Sequence, residues 1–189
     1  MNNENSKLGF YEKFSYALGD TASNFFFQFF AIFIVYYYTD VYGLSAAAVT
    51  TMLLMVKLWD WISDPIMGII ADRTSTRWGK FRPYLLWMAV PYGALGYLMF
   101  INPDLGEEGK LIFAYVTYIL MMTAYTAINV PYGALMGVMT TSPGERLTLG
   151  TFRFVGAFSA AIVLGMSVRP LVRLLGGDNE MLGFQYTMA

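Results

Sequence analysis

Two carboxylates and a lysine lie close together within one long apolar stretch of the sequence. Lys57, Asp60 and Asp64 are spaced three and four residues apart, so a helix would present them along one face. A charged side chain at the centre of a membrane helix costs roughly 2.5–3.5 kcal/mol even on the lenient insertion scale. Two carboxylates at this spacing repel each other, and a bound cation, a shared proton or the lysine would relieve the repulsion. The spacing therefore predicts a site for a proton or for a small hard cation, which carboxylate oxygens suit.

Two neighbours of the carboxylates add to this prediction. Ser63 supplies a hydroxyl oxygen, and Pro65 has no N–H, which leaves the carbonyl of Trp61 without its helical partner. The competing interpretation is a structural ion-pair cluster near one end of the helix, in which Lys57 neutralises one acid. That interpretation explains one carboxylate more easily than two, and the residues alone leave both interpretations open.

A milder polar stripe occurs in the preceding apolar stretch. Asp20, Asn24 and Gln28 are four residues apart, so they follow one side of a helix for about three turns. Such a stripe avoids lipid and faces protein or water. It either lines a cavity or makes hydrogen bonds between helices, as polar residues do in membrane bundles.

A later stretch carries a surface suited to a ligand rich in hydroxyl groups. It presents an amide and several phenols on roughly one helix face, with a threonine alongside, namely Tyr118, Tyr125, Asn129, Tyr132 and Thr126. The alternative is packing around a kink at Pro131. Arg153 lies about one turn inside the next apolar stretch. It either reaches back to the membrane surface or points inward as a partner for an acid.

The composition restricts what these residues can do. The 189-residue chain is 57% hydrophobic and only 13% charged, against roughly 25% charged residues in soluble domains. A net charge of −1 gives no support for binding nucleic acid. The chain has neither cysteine nor histidine, which excludes disulfides, thiolate sites and imidazole ligands. Any proton-linked chemistry must therefore use carboxylates, and we expect no cofactor.

The apolar stretches predict an all-α integral membrane protein, since a spanning helix needs about 20 mostly apolar residues. After a polar tail at 1–13, such stretches occur at about 14–39, 46–70, 83–101, 111–140 and 147–168. A sixth begins near 183 and stops at 189, far short of a crossing. We therefore expect one transmembrane bundle over 14–189, in a chain that is a fragment or a truncated product.

The residues between the stretches predict an orientation. The connection after the second stretch is basic and holds Asp72, Arg73, Arg77, Lys80 and Arg82. The connection after the third is acidic and holds Asp104, Glu107 and Glu108. The positive-inside rule places the basic loop and the N-terminus in the cytoplasm. An aromatic belt at the outer membrane interface is expected from the tyrosines that end the first stretch, Tyr36, Tyr37, Tyr38 and Tyr42.

Several strings of residues match one family over nearly the whole chain, from 13 to 186. The most specific is WDWISDPIMG at 59–68, followed by the loop at 71–83, with YYTD at 37–40, NVPY at 129–132 and FRF at 152–154. On these motifs the chain resembles the glycoside–pentoside–hexuronide:cation symporters of the major facilitator superfamily, typified by the melibiose permease. The resemblance implies the N-terminal helical bundle of a major facilitator fold. It also implies a bacterial inner (plasma) membrane location and a missing C-terminal bundle as the partner of this one.

The resemblance implies a coupling-cation site on the second helix. Asp60 and Asp64 would hold the cation, which is Na⁺, Li⁺ or H⁺, and would be metal ligands if the cation is Na⁺. Ser63 stands where the melibiose permease has an asparagine, and Thr126 matches its helix-four threonine. Both are therefore expected to join the cation site.

The resemblance also implies a sugar site formed by Asn24, Tyr125, Asn129 and Arg153. The chain departs from the melibiose permease here, because Asn24 and Asn129 replace two sugar-binding aspartates and Gly133 replaces a tryptophan. These departures argue against melibiose itself and favour another glycoside, pentoside or uronide. Asp20, one turn before Asn24, is a candidate for the missing carboxylate.

The mechanism expected from the resemblance is cation-coupled sugar symport by alternating access, in which the bound cation favours sugar binding. The loop at 72–82 is expected to latch the inward-closed state through salt bridges to the neighbouring bundle. Besides that bundle, the expected partners are a sugar or glycoside, the coupling cation and the lipid bilayer. The alternative is a non-transporting membrane fragment or sensor derived from such a carrier. A membrane-embedded enzyme is disfavoured, because the sequence has no motif for a nucleophile with its base.

Overall fold

The computed structural model describes residues 7–189, and this part of the chain is built of helices. They follow in the order α1 Phe10–Tyr36, α2 Ala46–Arg73, α3 Arg82–Leu98, α4 Glu107–Met139, α5 Pro143–Gly176 and α6 Glu180–Met188. A π-helical segment, Tyr37–Val41, continues α1. Residues 7–189 form no strand, and their only β-type pairing is an isolated bridge between Thr76 and Gly79. The all-α prediction is confirmed.

Four helical segments are long and apolar enough to cross a bilayer, namely Phe10–Val41, Ala46–Arg73, Glu107–Met139 and Pro143–Gly176. The protein is therefore a multi-pass membrane protein. α3 has 17 residues, about 26 Å at 1.5 Å per residue, against a hydrocarbon core of about 30 Å. It ends at Leu98, before the expected end at 101, because Pro103 disfavours a helical conformation at Asn102.

Several helices extend beyond the predicted apolar stretches. α1 begins at Phe10 instead of 14, because the Glu12 carboxylate accepts a hydrogen bond from the Gly9 N–H at 2.7 Å in the first turn. The start of the predicted polar tail, residues 1–6, lies outside the described residues. α5 runs on to Gly176, well past 168, since Arg173 and other long side chains near a helix end can reach the membrane surface.

The helices form a bundle in which α1 packs against α5, α2 and α3 pack against α4, and α5 packs against α6. α1 and α5 are in contact at Gly156, where an added Cβ would collide with the side chain of Thr21. This contact favours glycine and sets Arg153, almost one turn earlier on α5, beside α1.

The tyrosines that end the first stretch pack inside the bundle, so the predicted aromatic belt is wrong for most of them. Tyr37 and Tyr38 are 0% exposed and Tyr42 is 4% exposed. The Tyr37 hydroxyl donates to the carbonyl of Phe100 at 2.9 Å, and its ring packs against the rings of Phe100 and Phe184. The π-helical segment widens the turn here, which changes the face on which these side chains lie.

Candidate functional site

Two adjoining cavities bring together most of the residues that the sequence singled out. The smaller, here called the carboxylate cavity, has a volume of about 170 Å³ and is lined by residues of α1, α2 and α4. The larger, here called the polar cavity, has a volume of about 380 Å³ and is lined by residues of α1, α4 and α5. Tyr125 and Asn129 line both, so they form a shared wall.

In the carboxylate cavity, Asp60 and Asp64 have different partners. Thr126 donates its hydroxyl hydrogen to Oδ1 of Asp64 at 2.9 Å, which joins α4 to α2. Asp60 faces Lys57, whose Nζ lies 3.5 Å from Oδ2. The structure thus brings Asp60, Asp64 and Thr126 to one cavity, and cation binding there stays a prediction.

The second oxygen of Asp60 is the most unusual atom of this cavity. Oδ1 of Asp60 is buried and has no hydrogen-bond partner within residues 7–189. A buried, unsatisfied carboxylate oxygen is costly in free energy, so such an atom calls for a ligand or a proton. Asp64 is exposed on the bundle and has no salt bridge in the described range.

Ser63 lies on the buried side of α2, away from the cavity lining. Its side chain makes a 3.4 Å hydrogen bond to the carbonyl oxygen of Asp60. It is not among the residues that line the carboxylate cavity. A role for Ser63 as a cation ligand therefore stays a prediction.

The polar cavity is lined by all of the residues predicted to bind substrate, Asp20, Asn24, Tyr125, Asn129 and Arg153. Of the two orientations considered for Arg153, the structure has the inward one. Its Nη2 lies 2.6 Å from Oδ1 of Asp20, while Oδ2 of Asp20 accepts a hydrogen bond from Asn24 at 3.1 Å. Both oxygens of Asp20 are thus satisfied by side chains of the cavity.

Two tyrosines, one from α1 and one from α4, contact the guanidinium of Arg153. The guanidinium carbon lies 5.9 Å from the ring centre of Tyr16 and 5.5 Å from that of Tyr132. The two rings stack on each other with their centres 4.8 Å apart. At these distances the rings attract the cation, so the arginine is oriented by aromatic faces as well as by its carboxylate.

The shared wall is fixed by its own contacts. Asn129 donates an amide hydrogen to the Tyr125 hydroxyl at 3.0 Å, and the Tyr125 ring stacks on Phe27 with ring centres 4.7 Å apart. Sequence reasoning missed Phe27, although it follows Asn24 by three residues and so shares its helix face. It also missed Phe154, which lines the polar cavity next to Arg153 in sequence.

Two tyrosines that the sequence predicts on the ligand face of α4 lie elsewhere. Tyr118 is buried in the main apolar core, and Tyr132 packs against Tyr16 with its hydroxyl bonded to the Tyr16 carbonyl. Neither lines the carboxylate or the polar cavity. Packing is the better interpretation for both residues, around Pro131 for Tyr132 and in the apolar core for Tyr118.

The basic loop between α2 and α3 is folded on itself. Lys80 forms a salt bridge with Asp72 at 3.0 Å, and the guanidinium of Arg77 lies 4.6 Å from the Trp78 ring centre. Arg73 ends α2 and Arg82 begins α3, and both are exposed. The loop therefore presents several cations at one end of the bundle, and its role as a latch stays a prediction.

Comparison with known proteins identifies the family. The family described as MFS/sugar transport protein matches residues 15–189. The inner membrane symporter YicJ of Escherichia coli is 45% identical over 174 residues, which cover 92% of this chain and 38% of the relative. The isoprimeverose transporter of Lactiplantibacillus pentosus is 41% identical over 169 residues, covering 89% of this chain and 35% of the relative. The glucuronide carrier protein homolog of E. coli is 38% identical over 170 residues, covering 89% of this chain and 37% of the relative.

The chain thus spans less than two-fifths of the length of each of these relatives. The matched family and its named members are transporters, which agrees with the expectation that the chain is not an enzyme. The match also agrees with the motifs at 59–68 and 71–83. The chain belongs to the MFS/sugar transport protein family, among the glycoside, pentoside and hexuronide symporters.

Proposed function

We propose that this chain forms the N-terminal bundle of a symporter that couples the movement of a sugar to that of Na⁺, Li⁺ or H⁺. Asp60 and Asp64 hold the cation, and Thr126 and Ser63 add oxygen atoms. The polar cavity binds the sugar through Asp20, Asn24, Tyr125, Asn129 and Arg153. The cytoplasmic N-terminus and the inner-membrane location expected from the sequence belong to the same proposal.

The observation that carries the proposal is the buried Oδ1 of Asp60, which has no hydrogen-bond partner in the described part of the chain and lies in the same cavity as Asp64. One monovalent cation or one proton would satisfy this oxygen and reduce the repulsion between the two acids. The Thr126 hydroxyl donates to Asp64 and keeps its oxygen lone pairs available for a cation. Carboxylate and hydroxyl oxygens are hard ligands, which suits Na⁺ and Li⁺.

A purely structural ion pair explains this arrangement less well. Lys57 is 3.5 Å from Asp60, and its side chain is 67% exposed. Exposed ion pairs contribute little stability, roughly 0.2–1 kcal/mol. Lys57 also leaves Asp64 without a cationic partner within the described part of the chain. A second positive charge is therefore needed for neutrality, and the transported cation supplies it.

The lining of the polar cavity supports a sugar as the co-transported solute. It combines an amide at Asn24, an amide at Asn129, the Tyr125 phenol and the Asp20–Arg153 pair. This set offers both donors and acceptors to hydroxyl groups, while Phe154 and Tyr125 offer ring surface to the sugar face. Relatives named as isoprimeverose and glucuronide carriers make a sugar derivative the best candidate.

Coupling between the two ligands follows from the shared wall. Tyr125 and Asn129 line both cavities and are hydrogen-bonded to each other at 3.0 Å. Thr126, between them in sequence, contacts Asp64. A cation that orders this side of α4 would therefore order the sugar site as well, and the sugar would raise the affinity for the cation by the same factor.

Alternating access would require a second bundle, and the additional length of the relatives is sufficient for one. The loop at 72–82 carries exposed cations at one end of the bundle, and we assign it to the latch that closes the inward side. No observation favours the alternative of a non-transporting fragment or sensor, whereas the family match favours a carrier.

The test is sugar uptake by an extended carrier, in which this chain is continued by the C-terminal part of YicJ that it does not cover. Membrane vesicles containing the extended carrier are given labelled neutral glycosides, pentosides and uronides under imposed Na⁺, Li⁺ or H⁺ gradients. We expect at least one sugar to accumulate only when one of these gradients is present. Uptake that is indifferent to all three gradients would contradict coupling, and absence of any sugar uptake, with the carrier correctly inserted, would contradict sugar transport.

A further inference from the structure

The charge balance of the polar cavity separates two classes of sugar that the family as a whole can include. A hexuronide carries a carboxylate, whereas a glycoside or pentoside built of neutral sugars carries none. A site for a uronide needs a cation that is free to receive that carboxylate. The inference drawn from this comparison rests on the proposed function.

The cavity contains one cation and one anion, and they are already paired. Within residues 7–189, Asp20 and Arg153 are the only charged residues that line it. They form a salt bridge of 2.6 Å in which the side chain of Asp20 is 6% exposed and that of Arg153 is 22% exposed. The formal charge of the lining is therefore zero.

We propose that this cavity selects uncharged glycosides or pentosides over uronides, and that Asp20 is the residue that sets the selectivity. A uronide carboxylate could reach Arg153 only beside the buried carboxylate of Asp20, which would repel it. Removing the guanidinium from Asp20 would leave a buried carboxylate with Asn24 as its one remaining side-chain donor among residues 7–189. Both effects disfavour the binding of a ligand that carries a carboxylate.

An uncharged sugar is not repelled by Asp20 and can bind without breaking the salt bridge. A guanidinium has five N–H donors, and the salt bridge of Arg153 uses one nitrogen, Nη2. Its remaining donors can bond to sugar hydroxyls. Asp20 can accept from sugar hydroxyls through the remaining lone pairs of its two oxygens. The pair is thus a neutral donor–acceptor surface that does not have to open.

The carboxylate cavity does not add a positive charge that would favour the binding of an anion. It holds Asp60, Asp64 and Lys57, with two negative charges and one positive charge. One bound monovalent cation brings the sum of these charges to zero, so there is no excess positive charge. The summed formal charge of the residues of this chain that line the two cavities is therefore zero when the cation is bound and −1 when it is not.

The test compares sugars that differ only in the charged group, with the 189-residue chain reconstituted in lipid nanodiscs. The probes are methyl β-D-glucopyranoside with its glucuronate counterpart, and methyl β-D-galactopyranoside with its galacturonate counterpart. Saturation-transfer NMR detects the weak binding expected of one half of a site. For at least one pair, we expect the neutral member to bind at least about tenfold more tightly, with sodium present.

The variant Asp20→Asn should reverse this order, because it frees the guanidinium of Arg153 for a carboxylate. The matched control is Asp178→Asn, the same change at an exposed position outside both cavities, which should leave the order unchanged. The double variant Asp20→Asn with Arg153→Gln removes both charges and should abolish the discrimination. Near-equal binding of both members by the double variant supports the proposal even if the single variant folds poorly.

Tighter binding of the uronates by the unmodified chain would overturn this inference and leave sugar transport standing. An unchanged preference in folded Asp20→Asn would overturn the role of Asp20. Failure of every probe to bind the unmodified chain would overturn the inference together with its basis, the sugar site of the proposed function.

Discussion

The hydroxyl of Thr126 lies 2.9 Å from Oδ1 of Asp64 and joins α4 to α2 by a hydrogen bond. Thr126 stands between Tyr125 and Asn129, the residues that line both cavities. A single threonine thereby connects the carboxylates with the wall of the polar cavity. We propose this connection as the physical basis for coupling, and it can be tested by removing one oxygen atom.

The variant Thr126→Val keeps the shape of the side chain and removes the hydroxyl. The variant lacks the hydroxyl oxygen proposed as a cation ligand, and because contacts of this kind with a charged group contribute about 1.5–3 kcal/mol, the cation concentration that half-saturates uptake should rise by roughly 10- to 100-fold. The measurement is a cation titration of sugar uptake by the extended carrier. The control is Thr123→Val on the same helix, where the hydroxyl contacts Trp59 instead of a carboxylate. An equal rise in both variants would contradict a specific role for Thr126.

The variant Lys57→Gln distinguishes a cation site from a structural ion pair. The lysine competes with the cation for Asp60, so its removal should lower the half-saturating cation concentration. The expected change is at most about fivefold, since an exposed pair is worth about 0.2–1 kcal/mol. Thermal unfolding should change little. If the variant unfolded readily and no longer responded to the cation, the lysine would be a structural partner of Asp60, and the competing interpretation would be correct.

Gly156→Val tests the contact that places Arg153 beside Asp20. A valine side chain would collide with Thr21 of α1, and overpacking of this kind costs about 1–3 kcal/mol. The free energy of unfolding in mixed micelles should fall by that amount. Gly165→Val, on the same helix in open space, is the matched control and should have almost no effect. Equal stability of the two variants would mean that α1 and α5 do not meet at Gly156.

The orientation can be measured directly, because the chain contains no cysteine. A single cysteine is introduced either in the basic loop, as Lys80→Cys, or between α3 and α4, as Asp104→Cys. In right-side-out vesicles a membrane-impermeant maleimide should label the second variant and not the first. In inverted vesicles the pattern should reverse. The opposite result in both preparations would place the N-terminus outside the cytoplasm.

Residues on one helix could be assigned to a common face from the sequence. The spacing of Asp20 and Asn24 on α1, and of Tyr125 and Asn129 on α4, fixes their common faces, and the structure places all four in the polar cavity. The partner of Arg153 could not be predicted in the same way. It depends on which helices are neighbours, and the α1–α5 contact is set by packing at Gly156 between residues far apart in sequence.

The errors at the end of α1 have a different cause. Residue type and position predict a membrane interface for the tyrosines there. In the structure a π-helical segment changes the helical period at Tyr37, and the buried phenol bonds to Phe100. A single-sequence pattern that assumes 3.6 residues per turn cannot anticipate such a change of face.

The central claim, that Asp60 and Asp64 couple cation and sugar movement, is tested most directly by the double variant Asp60→Asn with Asp64→Asn. Accumulation of labelled sugar against its gradient is measured in vesicles containing the extended carrier, with Asp104→Asn and Asp178→Asn together as the control for two removed carboxylates. The account predicts that the double variant loses accumulation driven by Na⁺, Li⁺ or H⁺ while the control retains it. Gradient-driven accumulation that persists in the double variant would contradict the account.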